Sequence, residues 1–154
     1  MLISILLTAG TAGATPQPTD PIPGPNPADE TPPDDEWSER ANALVQQLCP
    51  AVVLIQQFDE EGFGGWHGSG FLISEDGYIV TVAHNVEYAA TLAILLYGET
   101  FNFLPASVIV SEPEKDVALI KIEGANFPYV EFGDSDTLQT DDMLMAIGHP
   151  GAPC

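Results

Sequence analysis

His84 stands at the end of the apolar run YIVTVA (78–83), and Asp116 opens the apolar run DVALIKI (116–122). A histidine at a strand end has a rigid scaffold behind it and an open edge in front, a useful place for a general base. An aspartate at the start of a strand also lies on a rim. If the two rims meet, the Asp116 carboxylate accepts the Nδ1 proton of His84. That bond fixes the tautomer and stabilises the imidazolium that forms when the ring takes a proton. The plainer reading, an ordinary barrel histidine without a chemical role, stands beside it.

The elements that must position this pair read as short strands. Apolar, β-branched runs recur at 51–57 (AVVLIQQ), 70–74 (GFLIS), 78–83, 92–97 (LAILLY), 105–110 (PASVIV), 116–122 and 143–148 (MLMAIG), with Gly, Asp or Pro between them. Such spacing argues for an antiparallel barrel or sandwich. Glu75-Asp76-Gly77 between two of the runs is a hairpin turn signal. Residues 85–90 could add one helical turn behind His84. Before the strands, EWSERANALVQQL (36–48) places Trp37, Ala41, Leu44, Val45 and Leu48 at helical spacing. Ser38 is available there as a cap, and the helix is expected to end at Pro50.

Composition narrows the function classes. The 154 residues hold 23 acidic side chains against three basic ones, a formal net charge of −20. Nucleic-acid binding needs clustered Lys and Arg, so it is excluded as a partner class. So acidic a chain repels anionic membranes, and it suits either a high-salt milieu or an acidic exported protein. The apolar run at 2–9, followed by Ala12-Gly13-Ala14, fits a cleaved signal peptide over 1–14, and the run is too short to span a bilayer. The Pro- and Asp-rich stretch 15–36 cannot bury enough apolar surface to order itself, and it reads as a tether. Residues 37–154 are left as the foldable part, with room for one barrel. The expected location is secreted or periplasmic, at the cell envelope.

At GSGFLISEDGYIVTVAHNV (68–86), DVALIKI (116–122) and GDSDTLQTDDMLMAIGHPGAP (133–153) the sequence resembles the trypsin-like serine proteases, most closely the HtrA (Deg) branch. The three blocks stand in that family's order, and the helix before AVVLIQQ has a counterpart there. The resemblance covers roughly residues 37–153. It implies an all-β fold: the N-terminal six-stranded antiparallel barrel of a chymotrypsin-like double barrel, behind a short helix. It also implies that His84 is the general base and Asp116 its orienting acid in a serine endopeptidase acting on polypeptide. Homo-oligomers are common among complete family members.

The nucleophile of that family lies in a G-[ND]-S-G-G motif, and none occurs in these 154 residues. Gly133-Asp134-Ser135 continues Asp136-Thr137 and lacks the glycines that turn backbone amides toward an oxyanion. Ser69 has His67 two residues before it and forms no G-x-S-x-G elbow. The chain by itself is therefore expected to be inactive. The alternative reading is a lone barrel serving as a binding module or an inactive pseudoprotease. Of the remaining candidates, His67 reads as a solvated histidine of the Gly-rich loop 62–70, and His149 as a variant of the family's Gly-Asn-Pro turn. No pair of His or Cys has zinc spacing, so no metal or other cofactor is expected. Cys49 reads as a small buried side chain, and its spacing to Cys154 does not decide whether the two pair.

Overall fold

The computed structural model describes residues 4–5 and 35–149. Most of the expected signal peptide, the tether as far as residue 34, and Cys154 lie outside the described residues. Among the described residues no helix is long and apolar enough to cross a membrane.

Helix α1 (Asp35–Leu48) turns the face read from the sequence inward: Trp37, Ala41, Leu44, Val45 and Leu48 are half-buried and the residues between them are largely exposed. It starts earlier than expected, so Ser38 is not its cap but a half-buried position within the helix. A 3-10 turn, Cys49–Ala51, follows, and Pro50 fits its first positions because their N–H groups have no partner inside the turn. Cys49 is buried as expected, at 1% exposure, and is disulfide-bonded. Val45 and Leu48 pack with Cys49, Val52 and Ile147 in a small apolar cluster.

Six antiparallel strands close into a barrel: β2 (Val52–Phe58), β3 (Gly64–Leu72), β4 (Tyr78–Thr81), β5 (Thr91–Leu95), β6 (Phe103–Glu112) and β7 (Val117–Ile122). The order around it is β2-β3-β4-β7-β6-β5, and β5 pairs with β2 to complete the ring. Alternation fills the interior: Val53 and Ile55 of β2, Leu72 of β3, Ile79 of β4, Ile94 of β5, and Ile120 and Ile122 of β7 are all at 0% exposure. The β3–β4 hairpin turns at Glu75-Asp76-Gly77 as expected, with Gly77 at φ 99°. There Gly77 N–H donates to Ser74 O and Ile73 N–H to Tyr78 O.

Three expectations are corrected. The glycine-rich segment around Trp66 and His67 is not a loop but the first half of β3, where Gln56 pairs with His67 and Ile55 with Gly68. Backbone pairing with β2 holds a strand there despite the low β-propensity of glycine. The run at 143–148 contributes only β8 (Met145–Ala146), which stays outside the barrel and pairs with β1 (Ser4–Ile5). A seventh apolar run has no free edge to join once six strands have closed. The helical turn expected after His84 instead contains it, as the 3-10 turn Ala83–Asn85.

One apolar strip is left open. Val108, Ile109 and Val110 on β6 and Val117 on β7 are between 46% and 54% exposed. A register shift between Val108 and Val110 marks a bulge in the same stretch.

Candidate active site

His84 is delivered by the end of β4. Chain direction changes at the 3-10 turn Ala83–Asn85, closed by hydrogen bonds from Asn85 N to Val82 O (3.1 Å) and Val86 N to Ala83 O (2.9 Å). Asp116 arrives from the opposite side, at the end of the 3-10 turn Pro113–Lys115 that leads into β7. Strands β4 and β7 are neighbours, with Thr81 opposite Ala118, so both turns meet at the same rim. Tertiary structure thus brings together residues 32 positions apart in sequence.

Their contact is threefold. The His84 ring Nδ1 lies 2.8 Å from Asp116 Oδ1 and 2.9 Å from Oδ2, and the His84 backbone N–H donates to Oδ1 at 3.1 Å. The carboxylate accepts only, so Nδ1 carries the proton and Nε2 offers its lone pair. Among the described residues the ring bonds to Asp116 alone. The backbone N–H of His84 foremost, then its ring, its charge and a bond from the Ala83 backbone, hold the Asp116 carboxyl below the usual carboxylate range, with desolvation opposing.

Asp116 adopts a left-handed backbone, φ 53° and ψ 45°. Short polar side chains tolerate that region better than others, but it still stores strain, which is concentrated at functional sites. The strain aims the carboxylate at two donors of one turn. The pair is open to solvent, with side-chain exposures of 44% for His84 and 41% for Asp116.

A cleft of about 600 Å³ opens beside the histidine, lined by Gln57, Trp66, His67, His84, Asn85 and Tyr88. Its aromatic walls are almost uncovered, with Trp66 84% and Tyr88 86% exposed. His67, read from the sequence as a solvated loop residue, is an exposed strand residue on the same cleft, and no hydrogen bond joins it to His84.

The two serines weighed from the sequence lie elsewhere. Ser69 is 6% exposed, and its Oγ accepts from His149 N at 2.8 Å. Ser135 begins an exposed 3-10 turn (Ser135–Thr137), capped by Asp134, and does not bond His84. His149 is more than a turn variant: it is buried at 3% exposure, with Nδ1 lacking a partner among the described residues. Burial pushes its pKa below the usual histidine value, and His67 adds to the effect. Asn85 and Gln57 were not singled out by sequence reasoning. Both are buried polar residues beside the site, and Gln57 Nε2 donates to Asn85 O at 2.8 Å. An Asn directly after a candidate base was a visible signal; the second Gln of AVVLIQQ offered none.

Comparison with known proteins agrees with the fold. Residues 68–153 match the family described as trypsin-like peptidase domain. A probable periplasmic serine endoprotease DegP-like of Chlamydia pneumoniae is 46% identical over 84 residues, 54% of this chain and 17% of that protein. The similarly named protein of Pseudomonas putida (strain GB-1) is 42% identical over 83 residues, again 54% and 17%. The match therefore spans under a fifth of those relatives' length. Among solved structures, the serine endoprotease from Yersinia pestis superposes with a TM-score of 0.58 at 21% identity, covering 68% of this chain and 42% of that one. The HtrA-type protease AlgW with tripeptide gives 0.57 at 24%, covering 69% and 38%. The structural likeness establishes the barrel, and the family match covers more than half of the chain. The chain belongs to the trypsin-like peptidase domain family.

Proposed function

We propose that this chain supplies the base-and-acid half of an HtrA-like serine endopeptidase, with His84 as general base and Asp116 as its orienting acid. The observation that carries the reading is the closed Nδ1–carboxylate contact, at 2.8 and 2.9 Å, on a ring whose other edge is open beside a cleft.

In this role Nε2 of His84 takes the proton of a serine hydroxyl as its oxygen attacks a peptide carbonyl. Asp116 stays ionised, holds the tautomer and stabilises the imidazolium. The imidazolium then protonates the leaving amine, and water, deprotonated by the same ring, releases the acyl group. The serine comes from polypeptide other than the described residues, since neither Ser69 nor Ser135 reaches the ring. The substrate is polypeptide. The DegP-like relatives are named periplasmic, which favours an exported protein acting in the periplasm or outside the cell.

The test is expression of the reading frame that encodes these 154 residues together with its in-frame continuation. Expected are a G-[ND]-S-G-G motif in the continuation and casein hydrolysis blocked by a serine-directed inhibitor. His84→Ala should lower kcat by on the order of 10⁶-fold, as in other proteases of this chemistry. Hydrolysis that survives His84→Ala, or a continuation with neither the motif nor activity, overturns the proposal.

A further inference from the structure

We infer that Asn85 is a positioning residue: its buried side-chain amide ties the 3-10 turn that carries His84 to strands β4 and β3, and its backbone carbonyl ties the turn to β2. The inference rests on the reading of His84 and Asp116 as base and acid. It adds the element that keeps the base in register with its partner.

The 3-10 turn Ala83–Asn85 is short, carries the exposed His84 between two buried residues, and has no side-chain cap at its start. Such a turn, tied only by its own backbone bonds, would rock on the end of β4 and carry the imidazole with it. Consecutive residues of a 3-10 helix point about a third of a turn apart. While His84 faces solvent, Asn85 faces the barrel at 9% exposure.

Its bonds reach three strands. Asn85 Nδ2 donates to Thr81 Oγ1 at 3.2 Å, and Thr81 Oγ1 donates in turn to Ser69 O of β3 at 2.9 Å. Asn85 O accepts from Gln57 Nε2 of β2 at 2.8 Å. The amide also fills the space over Gly68: a Cβ there would lie 2.2 Å from Asn85 Nδ2 and 2.5 Å from Cγ. Thr81 is 2% exposed and Gln57 9%, so the whole chain of bonds is shielded from water. Shielded networks of this kind hold one geometry because breaking any member strands a buried polar group.

The consequence falls on His84. Its backbone N–H and its ring must both meet one Asp116 carboxylate, at 3.1 and 2.8 Å, and these two bonds form together only if the turn keeps its tilt. Asn85 lines the cleft but bonds neither Asp116 nor the His84 ring; it acts through the turn.

The experiment reads the His84 ring directly, by long-range nitrogen–proton correlation spectra of the full 154-residue chain labelled at histidine. The variants are Asn85→Leu, Gln57→Leu, and Ile122→Val as a buried control remote from the network. The wild-type chain and the control should show a single Nδ1–H tautomer with a slowly exchanging Nδ1 proton. Asn85→Leu should lose that proton signal and show mixed tautomers while far-ultraviolet circular dichroism still reports the barrel. Gln57→Leu, which removes the bond to the Asn85 backbone carbonyl and leaves the Asn85 amide in place, should show a partial loss. The Asp116 carboxyl, followed by carbon resonances, should titrate nearer its ordinary value in both network variants.

A folded Asn85→Leu protein that keeps the single tautomer overturns the positioning role and leaves the base-and-acid reading intact. If Asn85→Leu does not fold, an unchanged Gln57→Leu spectrum overturns it instead. A wild-type ring lacking the Nδ1–H tautomer overturns the pair itself, and the positioning role with it.

Discussion

Replacing Gly68 by alanine sets a single methyl against the network behind the base. The added carbon would lie 2.2 Å from Asn85 Nδ2, 2.5 Å from its Cγ and 2.6 Å from its Oδ1. All three belong to an amide that Thr81 and the barrel wall hold, so the contact cannot relax by swinging a free chain end. Overpacking of this kind costs about 1–3 kcal/mol. Displacing the amide breaks the bond to Thr81, worth about 1 kcal/mol net. The expected loss is about 2–4 kcal/mol, a large share of the roughly 5–15 kcal/mol that stabilises a domain. Gly65, three residues earlier on β3, is the internal control, because a Cβ there meets only Gln57 O at an ordinary 3.8 Å. Gly65→Ala should stay within about 0.5 kcal/mol of wild type. Urea unfolding followed by circular dichroism reads the contrast: with a slope of about 1–2 kcal/mol/M, Gly68→Ala should lower the midpoint by roughly 1–4 M. Equal midpoints for the two variants would refute the argument that the Asn85 amide rigidly occupies the space over Gly68.

Other consequences follow from the same structure. Asp116→Asn should leave the barrel folded, because asparagine tolerates the left-handed backbone at φ 53°, whereas Asp116→Ala should cost about 1–2 kcal/mol more by thermal melting. Ile120→Ala, at 0% exposure in the centre of β7, should cost about 2–5 kcal/mol, while Ile109→Thr, 52% exposed on the open strip, should change stability by under about 0.5 kcal/mol in the same melts. His149 and Asp116 both have lowered folded-state pKa values, so each contributes stability that is complete above its ordinary value and lost as pH falls through the folded value. Melting temperature should therefore decline first below about pH 6.5, through His149, and again below about pH 4, through Asp116. His149→Asn should remove the first decline and keep the second. Finally, the 154-residue chain alone should not hydrolyse casein above the buffer rate, because no serine of the described residues bonds the base.

Much of this was legible in the sequence, for reasons that lie in local periodicity. Alternating apolar residues in DVALIKI place Ala118, Ile120 and Ile122 inside whatever sheet they join, and the helical spacing from Trp37 to Leu48 marks the face α1 presents to the barrel. Asp-Gly after Glu75 announces its hairpin by turn chemistry alone. His84 and Asp116 were likewise readable as chemistry at two strand ends. Tertiary structure decided the rest. Closure of β2 on β5 left the run at 143–148 outside the barrel, and pairing with β2 drew the glycine-rich segment into β3. The rim shared by β4 and β7 converted two separate strand ends into one contact of 2.8 Å. Three strands converging behind that rim made Asn85, Gln57 and Gly68 neighbours, which no spacing along the chain could reveal because burial and hydrogen bonding between them exist only once the barrel has closed.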